Sequence, residues 1–589
     1  MAEKFRNAKI QIQPGTNRTP DSTDSDTLYY VDTNRVRHED GRLKKIGGCE
    51  KLLTTGETSI VGTARTIFSY FYNGKNRWII GTHKRLYSLE ERELTNITPL
   101  KTTPETLGSD PLSVTLGSAT ITITDTNSFE EGDRIKIDGA TTTGGIPDTE
   151  INAEHIIHDV TASDYKITVT TTATSTTTGG GAAVDVYEQI DAGAQNFSDI
   201  IGYGGGIYGS GAYGVSQAFS TVYTLPRIWS MGRFGNDVIT TPGDGGKIYI
   251  YQSDTDTAPT VLTNAPTESD YVFIDQNAVI SLYGNSIKTS TRGDATEWTP
   301  SPTTLAFQDE IEGAEDFVCA TNVRGTNLLF TSNQIYTFKY VGLPNIWITS
   351  KLDVLDGIIA RNAVVSASGV AFWMGNNNFY VYDGGIVSAI PNNTLSDYIF
   401  KNINRTSARK IHSFVNREYN EVWWFIPLGT NTECNYYVKY NYIYSFWEDG
   451  FWSRTSSETP LHLTTTPLLT GNDTYIYKHE SGVNDDGSAM NEYAITNYAQ
   501  IGNGDNVMNV TGFIPDATQE GNRKLQIYTK MRQQGDAVIS EEKTITPTTE
   551  KVDFRASGRF RAYKIYSDEL DTNWKIGQEY EMLKTGGRF

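Results

Sequence analysis

Apolar residues in this chain come in short runs closed by turns of Gly and Asn, and the arrangement recurs from about residue 64 to residue 482. Trp78-Ile79-Ile80-Gly81 leads through a polar turn to Leu86-Tyr87, and Leu328-Leu329-Phe330 leads through Ser332-Asn333 to Ile335-Tyr336-Thr337-Phe338. Ala371-Phe372-Trp373-Met374 turns at Gly375-Asn376-Asn377 into Phe379-Tyr380-Val381-Tyr382. Further copies stand at 247–251, 279–287, 421–426 and 468–477. A strand that reverses on Gly or Asn is a hairpin, because these residues accept positive φ. Spacings of about 35 to 50 residues are those at which four-strand blades repeat around a β-propeller. The expected fold is therefore all-β, a propeller of divergent four-strand blades; hairpins of stacked β-sandwiches are the competing arrangement.

Two stretches break the pattern. Between 101 and 188 Thr dominates, aromatics nearly vanish, and alternation persists in Thr120-Ile121-Thr122-Ile123-Thr124, Arg134-Ile135-Lys136-Ile137 and Tyr165-Lys166-Ile167-Thr168. Strict alternation marks strands with one buried face, so this is a small inserted β-module. From 490 to 589 alternating strands such as Leu525-Gln526-Ile527-Tyr528 and Phe560-Arg561-Ala562-Tyr563 point to a C-terminal β-sandwich-like domain. The expected organisation is an N-terminal arm with first strands at 1–60 and a first propeller segment at 61–100. The inserted module at 101–188, the rest of the propeller at 189–485 and the C-terminal domain at 490–589 follow.

With 589 residues, several cores are expected. Seventy acids against 50 Lys plus Arg give a net charge of −20, which argues against a protein whose main task is gripping nucleic acid. It is compatible with a wall that DNA slides past. Cys49, Cys319 and Cys434 are too few and scattered for a disulfide framework or a Cys metal site. No run approaches the ~18 apolar residues of a membrane span, and the start lacks a secretory signal, so synthesis in a reducing cytoplasm is expected.

Each catalytic template tried fails. The Gly/Tyr stretch 202–214 lacks a following Gly-Lys-Ser/Thr. Residues 481–487 lack the alternating oxygen ligands of a calcium loop. Residues 290–298 carry the residue types of a sialidase-like turn at the wrong spacing and read as a blade turn with a packed Trp298. His155 and His158 would face opposite sides of a strand. The aromatic-dense stretch 436–454 reads as blade core rather than a sugar-binding face. No catalytic, cofactor-binding or metal residue is singled out, no cofactor is expected, and the chain is not expected to be an enzyme.

Three segments together resemble the tail nozzle, or packaged-DNA stabilisation, proteins of short-tailed bacteriophages. They are Asn34 to Gly48 with its Gly41 and Lys45-Ile46-Gly47, the aromatic hairpins around Phe372 to Gly384 and Glu418 to Trp424, and the ending Arg555 to Arg561, Trp574 to Gly577 and Gly586-Gly587-Arg588. Residues 117–186 resemble small β-modules of phage structural proteins, through Gly132-Asp133, Gly139-Ala140, Glu150-Ile151-Asn152 and Gly179-Gly180-Gly181. The resemblance implies a structural virion protein in the tail, made in the bacterial host cytoplasm. It would form a ring of copies, expected to be a hexamer, that retains packaged DNA and forms the channel for its ejection. Implied partners are the adaptor and portal complex above, tail fibre or needle proteins, and genomic DNA passing without sequence-specific contacts. The alternative is a receptor- or glycan-binding propeller at the virion surface. In an acidic chain, the bases clustered in 35–51 and in 551–564 (Arg555, Arg559 and Arg561 among them) point to docking on acidic neighbours, or else to solvated strand faces.

Overall fold

The computed structural model describes residues 6–18, 27–56, 59–199, 223–354, 356–391, 394–459, 466–500 and 506–588. Among these residues seven sheets form the blades of a propeller, each of four antiparallel strands with a fifth, Thr55–Gly56, added in parallel at the outer edge of blade one, and their innermost strands neighbour one another in a closed ring. In chain order the inner strands are Ala64–Tyr72, Ser230–Phe234, Tyr271–Asp275, Phe317–Val323, Val364–Ala367, His412–Asn416 and Ser456–Ser457, of blades one to seven. The hairpins legible in the sequence are the middle two strands of the blades: Lys75–Thr82 with Leu86–Glu90, Thr326–Thr331 with Ile335–Gly342, Val370–Met374 with Phe379–Tyr382. These strands are apolar because blades cover both their faces. Glu421–Ile426 and Tyr436–Asn441 of blade six are buried at every position.

Blade seven is completed from the other end of the chain. Its three local strands pair in order, and the fourth place is taken by Cys49–Lys51, antiparallel to Ile476–His479. The ring is thus fastened by backbone hydrogen bonds between segments more than four hundred residues apart in sequence.

The strands that precede this closure belong elsewhere. Leu28–Asn34 pairs with Glu492–Thr496 in a sheet that also holds Phe560–Ser567 and Arg523–Lys530. Arg6–Lys9 pairs with Tyr580–Arg588, and that sheet continues through Asn506–Ile514 to Val552–Gly558. The sheets share a core of Leu28, Phe513, Leu525, Ile527, Phe554 and Tyr563, as a β-sandwich does. Residues 1–60, read from sequence as an N-terminal arm with first strands, contribute described strands to the C-terminal sandwich, to blade seven and, through Thr55–Gly56, to the edge of blade one.

Between blades one and two stand two further four-stranded sheets, from Glu105–Leu107 to Val184–Glu188. They enclose their own core, in which Ile121, Ile123, Ile135, Ile137 and Ile167 are fully buried while the alternate Thr residues face out. The module's ends lie side by side: Leu100 bridges Gln189, and Lys101 N donates to Glu188 O at 2.7 Å. The Gly/Tyr stretch 202–214 lies outside the described residues.

Candidate functional site: the propeller axis and its mouth

An even number of antiparallel strands returns the chain to the face it left, so every inner strand begins on the same face of the propeller. The segments that enter blades two, five and six converge there. On the axis below them lies a lumen of about 400 Å³, lined by the hydroxyls of Thr66, Ser69, Thr321, Ser366, Ser413 and Ser457. At about 30 Å³ per molecule this is room for roughly a dozen waters.

The lumen is closed at its mouth by two residues at the entrance to blade five. Arg361 Nη1 donates to Ile228 O at 2.6 Å, reaching blade two, and Asn362 Nδ2 donates to Arg65 O at 2.8 Å, reaching blade one. Both bonds cross the axis, because blades one and two stand opposite blade five. Ser413 Oγ in turn donates to Asn362 O at 2.7 Å. Outside this partition lies a second cavity of about 790 Å³, with Arg227, Arg361, Arg409, Leu225, Ile228 and Phe317 in its wall and floor.

An imidazole lines the lumen, and a buried carboxyl follows the strand Ser456–Ser457, turned towards blade one. His412 Nε2 faces the Arg454 carbonyl at 3.1 Å and must donate there, which leaves Nδ1 to accept from Ser457 Oγ at 2.7 Å. Burial pulls its pKa down to about 4, and the ring stacks on Phe425 at 4.9 Å. The Ser457–His412 contact has the outline of a nucleophile with its base. However, the second ring nitrogen meets a carbonyl rather than a carboxylate, and so weakly basic an imidazole is a poor general base near neutrality. Glu458 is buried and, among the described residues, forms no ion pair. Its Oε2 accepts from Trp78 Nε1 at 2.8 Å, and burial pushes its pKa up to about 7.

The residues singled out in the sequence are dispersed. His155 Nε2 bonds Ile151 O at 2.9 Å, whereas His158 Nε2 bonds Thr168 Oγ1 at 2.9 Å. Among the described residues no three His, Cys, Asp or Glu side chains converge as a metal site. Trp298 tucks its Nε1 onto Ala295 O at 2.7 Å within a turn of blade three. In the 481–487 turn, Asp485 is held by Arg35 at 2.6 Å and by the Cys49 thiol at 2.9 Å.

Part of each basic cluster is turned inward. Arg37 is buried between Glu421, at 3.1 Å, and Glu480, at 2.5 Å, and Lys45 meets Glu492 at 3.3 Å. Their acidic neighbours are within the chain, so these two bases are neither solvated nor free to dock. Arg561, expected on an outer contact face, is turned inward by strand alternation onto Glu581, with Nε to Oε2 at 2.7 Å. Arg555 is exposed. Neither the Arg361–Asn362 partition nor Glu458 was anticipated, since both depend on contacts between blades that no local pattern announces.

No protein-family model and no curated protein matches the chain. The chain is similar in fold to solved β-propellers. The Neurospora crassa Pan2 WD40 domain is 10% identical over 75% of this chain and 96% of its own, with a TM-score of 0.26. Virginiamycin B lyase from Staphylococcus aureus is 10% identical over 73% and 98%, with a TM-score of 0.27. The Cps50 (Swd1) β-propeller domain of Myceliophteria thermophila is 7% identical over 42% and 82%, with a TM-score of 0.28.

Proposed function

We propose that this chain is a structural protein of a virion, one subunit of a ring in the tail of a short-tailed bacteriophage. The ring retains packaged DNA and, with its copies, forms the channel for ejection. The motifs at 34–48, 372–384 and 555–588 support the family reading. The observation that carries the assembly is the outer hairpin of blade four. There Ile335–Gly342 and Ile346–Lys351 present Val341, Leu343 and Ile348 at 45%, 68% and 44% exposure. Several large apolar side chains exposed together on one projecting hairpin suit burial against another protein, and we assign that partner as a second copy. The propeller's own axis is partitioned and too narrow for a duplex, so in this reading DNA passes between subunits. An acidic wall disfavours sticking there, because carboxylates and phosphates repel within a Debye length of ~8 Å.

The test is sedimentation velocity at tens of micromolar with electron micrographs of the same sample. Rings are expected for the native protein, and free subunits with an unchanged melting temperature for the Leu343→Asp, Ile348→Asp double variant. A native protein that stays monomeric, or a double variant that still forms rings, would overturn the reading.

A further inference from the structure

We propose that the cavity over the propeller axis binds a ligand with an anionic head, a carboxylate or a phosphate, carried on an apolar body. Its volume of about 790 Å³ lies in the range of small-molecule sites. Leu225, Ile228 and Phe317 supply apolar wall, and Arg361 forms the floor, since it lines both this cavity and the lumen beneath. Arg227 and Arg361 are half-buried, yet the bonds found for their guanidinium groups run to backbone carbonyls. Arg361 Nη1 reaches Ile228 O at 2.6 Å and Arg227 Nη1 reaches Asp191 O at 2.5 Å. Neither forms an ion pair among the described residues, whereas buried Arg37, Arg65, Arg85 and Arg561 each meet a carboxylate. Asp270 and Asp244 act on Arg361, and Asp244 and Asp191 on Arg227, without pairing with them, so each half-buried guanidinium keeps a planar fork of donors suited to carboxylate or phosphate. Burial accordingly pulls the pKa of both groups down.

The acidic residues of the cavity offset this floor without pairing with it. Asp270 is occupied by the N–H groups of Gly245 at 2.9 Å and Gly284 at 3.2 Å, and Glu315 accepts from Asn333 Nδ2 at 2.8 Å. Asp244, Glu315 and Asp316 are exposed at the rim, where solvent screens them. The gradient from acidic rim to basic floor orients a ligand head-down. Gly243 keeps the floor in place, because a Cβ there would come within 2.6 Å of Arg361 Nη1.

The test is a fluorescence titration of the full chain with 1-naphthoate, 1-naphthyl phosphate and the neutral isostere 1-naphthamide. At least one anion is expected to bind tenfold or more tightly than the amide, and the tighter of the two identifies the head. Arg361→Gln and Arg227→Gln are each expected to erase that preference while leaving weak apolar binding. Arg227→Gln alone decides the matter if Arg361→Gln does not fold. No binding, equal binding of anion and amide, or a preference that survives substitution would overturn the proposal. Failure of ring assembly would leave it untouched, because the site lies within one propeller.

Discussion

Glu458 is a buried carboxyl that accepts from an indole N–H and forms no ion pair among the described residues, and this fixes the sign of its contribution to stability. Its pKa stands at about 7 in the fold, above the 4.5 of an ordinary Glu. The unfolded chain therefore ionises first as pH rises. Stability is fully present below about 4.5 and is lost as pH climbs through 7, by on the order of 3 kcal/mol at most. Glu458→Gln keeps an acceptor for Trp78 and removes the charge. From pH 5 to pH 8.5 the melting temperature of the variant should gain steadily on that of the native protein, and the variant should be the more stable of the two at pH 8.5. Parallel curves would show that Glu458 does not titrate in this window. His412 acts in the opposite direction over nearly the same interval, with stability lost as pH falls from about 6.5 towards 4, so the two groups offset one another and the difference between native protein and variant isolates Glu458.

At the scale of elements, the adjacent ends of the inserted module predict that it can be removed. Excision with a short linker from Lys101 to Glu188 preserves the Leu100–Gln189 bridge, but it strips Arg85 of Asp133, its ion-pair partner at 2.7 Å. An unpaired buried guanidinium costs about 3–5 kcal/mol. The excised protein should melt well below the native one, and Arg85→Met in the same background should recover most of the loss. A propeller that aggregates even with Arg85→Met would mean the module is required for folding. This element was legible in the sequence because Thr/Ile alternation carries its own period, and so were the middle blade hairpins with their Gly and Asn turns. Inner strands were not: Ser456–Ser457 has no apolar content to mark it, since an inner strand faces a hydroxyl-lined lumen. The closing strand Cys49–Lys51 was missed because three residues carry no period and their partner is distant in sequence. Of the candidate site, Arg361 and Arg227 sit in blade-entry loops, where only the closed ring brings them to one cavity.

For the whole molecule the decisive feature is the route of the chain, which begins in the sandwich, fastens blade seven, circles the propeller and returns to the sandwich. The two bodies are also joined by a buried ionic network. Arg37, on the sandwich side, lies between Glu421 of blade six and Glu480. Lys439 of blade six bridges Glu421 at 2.9 Å and Glu448 at 2.7 Å, and His38 meets Glu448 at 2.5 Å. Removing one member of such a network leaves charges buried without partners, at a cost of about 3–5 kcal/mol, although the intact network need not add net stability over an apolar one. Its consequence is coupling: neither body can unfold without exposing the other's charges, and the closing strand is lost if the segment before it detaches. The intact chain should therefore melt in a single calorimetric transition with equal calorimetric and van't Hoff enthalpies, unusual for a protein of this size. Arg37→Met should lower the melting temperature and split the transition in two, because Glu421 and Glu480 on the propeller side then lose the cation that the sandwich side supplies while each body keeps its own core. Arg37→Lys retains the charge but loses the fork that reaches both carboxylates, and should fall between the two. A native protein that already melts in two steps, or an Arg37→Met variant indistinguishable from it, would show that the network holds the bodies in position without coupling their stability.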